Sequence, residues 1–142
     1  MQWDDSANAG FAPAGARPWL PLAADYATRN VAAQENDPAS MLSLYRQLTA
    51  LRRAEPALNR GGIKLIDTGI EDVLAYRRTV EGGDSFLVVL NLGEEMHELN
   101  LRAALDGRTA ELALATELVP SRTMEEGVLA INGNEGLIIR LR

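Results

Sequence analysis

Two pairs of neighbouring carboxylates, Asp4-Asp5 and Glu125-Glu126, are the residues here whose type first suggests chemistry. Cleavage of a glycosidic bond uses a carboxylic acid and a carboxylate facing each other across a cleft, about 5 Å apart when configuration is retained. Neighbours in sequence do not meet that geometry, so both pairs read as solvated loop charges. The single histidine, His97, sits in Met96-His97-Glu98-Leu99 and reads as a strand residue. One histidine and no cysteine leave no multi-histidine or thiolate metal site, no disulfide and no cysteine nucleophile. Gly61-Gly62 and Gly82-Gly83 lack the context of a phosphate-cradling loop and read as turn glycines. No catalytic residue, metal site or cofactor is expected from these residue types.

The aromatic residues are distributed unevenly. Trp3, Phe11, Trp19 and Tyr26 all fall within residues 1–37, an irregular segment punctuated by Pro13, Pro18 and Pro21. Aromatic faces stack on the C–H surfaces of sugars, so a carbohydrate-facing loop is one reading. For Trp19, between Pro18 and Pro21, the favoured reading is an anchor that pins a long loop to its scaffold. For Trp3 both readings stand. A structureless stretch of this length is improbable inside a compact domain, where loops beyond about 15 residues are uncommon. The scaffold of the segment is therefore expected to lie upstream of residue 1, which makes the chain part of a longer protein.

The elements that would position these residues follow from periodicity. A helix is expected from Asp37 as N-cap and Pro38 at the first helical position, running to residue 55. Met41, Leu44, Tyr45, Leu48 and Leu51 form one apolar stripe at helical spacing, with Arg52 and Arg53 in the last turn and Pro56 preventing continuation. Residues 61–142 read as antiparallel strands near 63–67, 72–80, 85–92, 96–101, 109–115, 128–131 and 136–141. Phe86-Leu87-Val88-Val89-Leu90 is apolar on both faces and predicts a central, doubly covered strand. Ala110, Leu112 and Leu114 alternate with Thr109, Glu111 and Ala113, which predicts one dry and one wet face. Gly82-Gly83, Asp106-Gly107 and Asn132-Gly133 are expected to close hairpins. The fold class is thus mainly β, an antiparallel β-sandwich preceded by one amphipathic helix and a long irregular segment.

Composition excludes several partners. The 142 residues carry a net charge of −6, against nucleic acid and anionic membrane surfaces, which select basic proteins. No apolar run reaches the roughly 20 residues of a membrane span, and no secretory leader is visible, so a cytoplasmic location is expected. The helix stripe demands a partner. Without one it is expected to drive homo-oligomers or to leave residues 1–37 poorly ordered.

Several stretches carry a family resemblance. Met1-Gln2-Trp3-Asp4-Asp5-Ser6, Asn8-Ala9-Gly10-Phe11, Pro18-Trp19-Leu20-Pro21 and Asn30-Val31 resemble one stretch of glycoside hydrolase family 13, in its α-glucosidase, oligo-1,6-glucosidase and trehalose synthase branch. Asp37-Pro38, Ser40-Met41-Leu42, Tyr45-Arg46-Gln47-Leu48 and Leu51-Arg52-Arg53 match the element that follows. Ala75-Tyr76-Arg77-Arg78, Val88-Val89-Leu90-Asn91-Leu92 and Asn134-Glu135-Gly136-Leu137-Ile138-Ile139 resemble its C-terminal domain.

The resemblance implies a topology. Residues 1–37 would be the loop after the last strand of a (β/α)8 barrel, residues 38–60 its last helix, and residues 61–142 the α-amylase-type C-terminal β domain. The upstream barrel of the same parent chain is the implied partner. The family's catalytic carboxylates come from earlier strands, so none carries over, and the chain alone is expected to be inactive. Gln2, Trp3 and Asp4 would line or brace the rim of the substrate cleft on its leaving-group side. Met1 coincides with the methionine of the motif, which suggests a start inside a longer reading frame. Two rivals remain: a stand-alone carbohydrate-binding or interaction β module, and the tail of a sugar-rearranging relative such as a trehalose synthase. The first would need an exposed aromatic platform, whereas Tyr76 and Phe86 lie in strands expected to be buried.

Overall fold

The computed structural model describes residues 2–117 and 127–142, and divides into two units, one ending at Arg46 and one running from Gln47 to Arg142. Met1 and the Glu125-Glu126 pair lie outside the described residues.

The first unit is made of turns and short helices, where sequence reading expects an irregular segment. Asn8 (φ 63°), Ala9 (φ 52°) and Gly10 (φ 72°) take left-handed backbone in succession. Glycine enters that region freely; a Cβ there costs about 1–2 kcal/mol per residue, so Ala9 stays only because its surroundings enforce it. The turn is closed by the Ala9 N–H donating to Ser6 O (2.9 Å) and the Phe11 N–H to Asn8 O (3.0 Å). The Asn8 amide donates to Pro13 O at 2.8 Å and Ala16 O at 2.9 Å, which closes the next loop. Helix α1, Val31–Glu35, is too short to show a stripe, and its cap marks it instead. Asn30, 2% exposed, accepts the Ala33 N–H on its Oδ1 (2.8 Å) and donates to Tyr26 O (2.9 Å).

Helix α2, Met41–Ala54, starts later than its sequence suggests. The Asp37 carboxylate accepts the Ala39 N–H (2.9 Å) in a turn, and Ser40 takes the capping role. Its Oγ accepts the Ser43 N–H at 3.2 Å and its carbonyl the Leu44 N–H at 3.0 Å. Pro56 ends α2 and opens a further helix, α3, Pro56–Arg60, at the position where a missing N–H is harmless.

The second unit is mostly antiparallel sheet. Strands β1 (Gly62–Ile66), β2 (Val73–Thr79), β3 (Ser85–Asn91), β4 (His97–Asn100), β5 (Ala110–Ala115), β6 (Val128–Ile131) and β7 (Gly136–Leu141) are joined by the short helix α4, Arg102–Leu105, between β4 and β5. One sheet has the order β1-β2-β3-β7-β5, and β4 pairs with β6 in another. β3 is central and Phe86 to Val89 are all buried, as apolarity on both faces predicts. Val73, Ala75, Leu87, Val89, Leu137, Ile139 and Leu141 on one face join Leu99, Leu101, Leu129 and Ile131 in one buried cluster. On the opposite face Phe86, 0% exposed, packs against Ala57 and Leu58 of α3.

Arg140 organises that second face. Its guanidinium lies 5.0 Å from the centre of the Phe86 ring, donates from Nη1 to Asp84 (2.8 Å) and from Nη2 to Glu55 (2.5 Å). Those carboxylates, Asp84 foremost, hold its proton more tightly than an ordinary arginine's. Charge, ring and helix start are thereby joined at one point.

Four local expectations are corrected. β5 carries a bulge between Leu112 and Leu114, so Leu114 pairs with Ile138 while Leu112 pairs with Ile139. The extra residue turns Leu114 to the face opposite Ala110 and Leu112, because side-chain facing alternates strictly along a strand. Asp106-Gly107 closes no hairpin: Asp106 is the left-handed C-cap of α4, and β4 and β5 belong to different sheets. Asn132-Gly133 likewise joins strands of different sheets, and Asn134 (φ 57°) is the left-handed residue there. Gly133 is required for another reason: a Cβ on it would lie 1.9 Å from the Glu94 carbonyl oxygen. Gly82 (φ 71°) does turn the β2–β3 hairpin. A single helix before the β unit is replaced by the series α1, α2 and α3.

Candidate functional site

Gln2 and Trp3 are held by their backbone and Asp4 by its side chain. The Gln2 and Trp3 carbonyls accept the Val31 N–H (3.0 Å) and Ala32 N–H (2.9 Å). Those are among the first amides of α1, which have no partner inside their own helix. The Trp3 N–H in turn donates to Ala9 O at 3.0 Å. The three residues then part in role. Gln2, half-buried, donates from Nε2 to Arg29 O at 3.1 Å and acts as a brace. Trp3 is 57% exposed and presents its indole.

Asp4 is fixed by one oxygen. Its Oδ1 accepts the Ser6 N–H (3.0 Å) and the Ser6 hydroxyl, while Oδ2 accepts no hydrogen bond from any described residue. The Ser6 hydroxyl, and after it the Ser6 N–H, holds the Asp4 carboxyl below the usual carboxylate range. It is therefore ionised at neutral pH, an acceptor and not a proton donor. Gly10 lies against both side chains: a Cβ on it would stand 2.8 Å from Trp3 Cβ and 3.0 Å from Asp4 Oδ2.

The other candidates do not join this group. Asp5 is exposed and makes no acid–base pair with Asp4. Trp19 is 92% exposed, so no described residue receives it as an anchor, and Phe11 and Leu20 are also exposed. His97 stands in β4 opposite Ile131. Tyr76 is half-buried and Phe86 buried, so neither forms an open aromatic platform. Among the described residues no group of three or more histidines, aspartates and glutamates could hold a metal, and no helix is long and apolar enough to cross a membrane. Sequence reasoning missed Ser6, Asn8, Gly10 and Asn30 as the residues that shape this site. The available signals were a serine two residues after an aspartate, which favours an Asx or ST turn, and an Asn-x-Gly run able to enter left-handed backbone.

Comparison with known proteins gives this geometry a context. Residues 1–61 match the family described as the α-amylase catalytic domain. The amino acid transporter heavy chain SLC3A1 of Mus musculus is 36% identical over 143 aligned residues, covering 98% of this chain and 21% of that protein. Maltase A1 of Drosophila melanogaster is 37% identical over 119 residues, covering 82% of this chain and 20% of the maltase. The crystal structure of trehalulose synthase MutB from Pseudomonas mesoacidophila MX-45 superposes with a TM-score of 0.85 at 34% identity, over 99% of this chain and 24% of that one. The chain thus spans about a fifth to a quarter of the length of these relatives. Over most of its length it is a homologue of α-amylase-family glycoside hydrolases, α-glucosidases and trehalulose synthase among them.

Proposed function

We propose that this chain is the C-terminal part of an α-amylase-family enzyme that acts on α-glucosides with retention of configuration. In this reading residues 1–37 are the loop after the last barrel strand, residues 38–60 the last barrel helix, and residues 61–142 a C-terminal antiparallel β-sandwich domain. The observation that carries it is the pairing of a catalytic-domain match over residues 1–61 with relatives that extend far beyond the matched region. Retaining hydrolysis needs an acid to protonate the glycosidic oxygen and a second carboxylate to attack the anomeric carbon. Asp4, held ionised by Ser6, has the wrong protonation state for the first role, and its exposed neighbour Asp5 offers no facing partner across a cleft. The chain supplies cleft wall and support, with Gln2 as brace and Trp3 and Asp4 at the rim, while the reacting carboxylates reside on the upstream barrel.

Glucose release from maltose and isomaltose tests this. The purified 142-residue chain is expected to release none, and the parent enzyme to release glucose from at least one of them. Turnover by the chain alone at an ordinary enzymatic rate would overturn the proposal.

A second reading, sugar rearrangement in place of hydrolysis, is favoured by the likeness to trehalulose synthase, one of whose structures holds its substrate sucrose. Incubation of the parent enzyme with sucrose separates the two: an isomeric disaccharide marks rearrangement, and free glucose with fructose marks hydrolysis.

A further inference from the structure

The five-stranded sheet is apolar on both faces but is not covered equally. One face, carrying Val73, Ala75, Leu87 and Val89, is buried in the main core. Side chains alternate along a strand, so register assigns the other face. Pairing sets Ile63 of β1 opposite Arg78 and Leu65 opposite Tyr76, and Leu74 of β2 opposite Leu90 of β3. At one end of this face Phe86 is covered by Ala57 and Leu58 of α3, with Leu51 of α2 packed against them. The rest is open. Ile63 and Leu65 are 63% and 70% exposed, Leu74 is exposed, and Tyr76 and Leu90 are half-buried. A sheet face that stays in water carries polar residues at such positions; this one carries a continuous apolar patch. A single cation borders it on β2. Arg78 forms no hydrogen bond or ion pair with any described residue, and its Nε is buried without an acceptor. Such a donor is costly to leave unpaired, and a second body that brings an oxygen removes the cost.

We propose that this patch is the surface on which the upstream barrel of the parent chain sits, with apolar side chains over Ile63, Leu65 and Leu74 and an acceptor oxygen on the Arg78 guanidinium. The proposal rests on the reading of residues 38–60 as the last barrel helix. Continuity selects the barrel over other occupants. The end of that helical segment already covers the neighbouring end of the same face, and Arg140 Nη2 ties Glu55 to the sheet there at 2.5 Å. A body that carries this helix stands on this side of the sheet, and the patch is the apolar surface next to it. A second copy of the chain would have to reach a place that the barrel already borders.

Two variants, each made in the isolated chain and in the parent enzyme, test this by thermal melting. Ile63→Glu with Leu65→Glu places charges on side chains that are open in the isolated chain, which should melt as wild type does. The parent carrying the same pair should melt several degrees lower. Arg78→Met removes a buried donor that has no acceptor, so the isolated chain should melt at the same temperature or higher. The parent, left with a stranded acceptor, should melt lower. A fall in the isolated chain as large as in the parent, for either variant, would overturn the proposal, because the residues would then serve the sheet itself. So would wild-type melting of the parent with Ile63→Glu and Leu65→Glu. A fall that tracks a dimer of the parent in sedimentation velocity would make a second copy the occupant and also overturn it. Activity is scored separately. A parent that turns over neither maltose nor isomaltose removes the reading of its chemistry and leaves the interface standing, whereas unaltered melting in an active parent removes the interface alone.

Discussion

Asp4 carries the charge that matters at the scale of single residues. Its folded pKa lies below the ordinary 3.8, chiefly through the Ser6 hydroxyl. A lowered carboxylate stabilises the folded turn fully above 3.8, and that contribution is lost as pH falls through the lower, folded value. Carboxyl-resolved NMR titration should therefore place the Asp4 midpoint below 3.8 and return it toward 3.8 in Ser6→Ala. Equal midpoints in the two proteins would refute the role of the hydroxyl. Trp3 and Asp4 are legible in the sequence because a motif carries them. Ser6, Asn8 and Gly10 are not, since their work is done by hydrogen bonds within a loop and by positive φ angles, which leave no periodic trace. Trp19 shows the complementary failure: flanking prolines describe the stiffness of a chain but not what its indole will meet.

Arg140 is where elements are joined, and its removal should be costly. Arg140→Ala leaves Glu55 and Asp84 without their shared cation and uncovers the Phe86 ring, so urea unfolding of the chain should show a loss of about 2–4 kcal/mol. Arg140→Lys should recover only part of it, because an ammonium lacks the planar fork that reaches two carboxylates at once. A loss within the 0–1 kcal/mol of an ordinary surface pair would show that the clamp is ornamental. Strand positions were largely readable: β6 and β7 occupy Val128–Ile131 and Gly136–Leu141, where alternation places them. Pairing was not. Adjacent strands β4 and β5 invite a hairpin, but α4 intervenes and sends them to different sheets. The bulge in β5 is equally silent, since one surplus residue alters facing without altering composition. At α2 two good caps compete three residues apart, and only the hydrogen bonds show that Ser40 prevails over Asp37.

At the scale of the whole molecule, the unsatisfied quantity is apolar surface. Met41, Tyr45 and Leu48 of α2 are exposed, as are Ile63 and Leu65 of β1 and Leu74 of β2. Isolated apolar residues are normal on a surface, but a helical stripe and an edge strand that both remain open mark contact sites. The isolated chain should accordingly self-associate with rising concentration in sedimentation velocity, and Met41→Glu with Leu48→Glu should weaken that association. A monomer at every concentration would argue that the net charge of −6 suffices to keep copies apart. The sheet order also bears on how the second unit comes into being. β7, which follows the other described strands along the chain, inserts between β3 and β5, so a nascent chain that has not yet reached it offers only the β1-β2-β3 meander and leaves β5 without a partner. Folding of this unit must wait for residues beyond Asn134, and a stop codon at Glu135 should yield a polypeptide that proteases clear instead of a shortened domain.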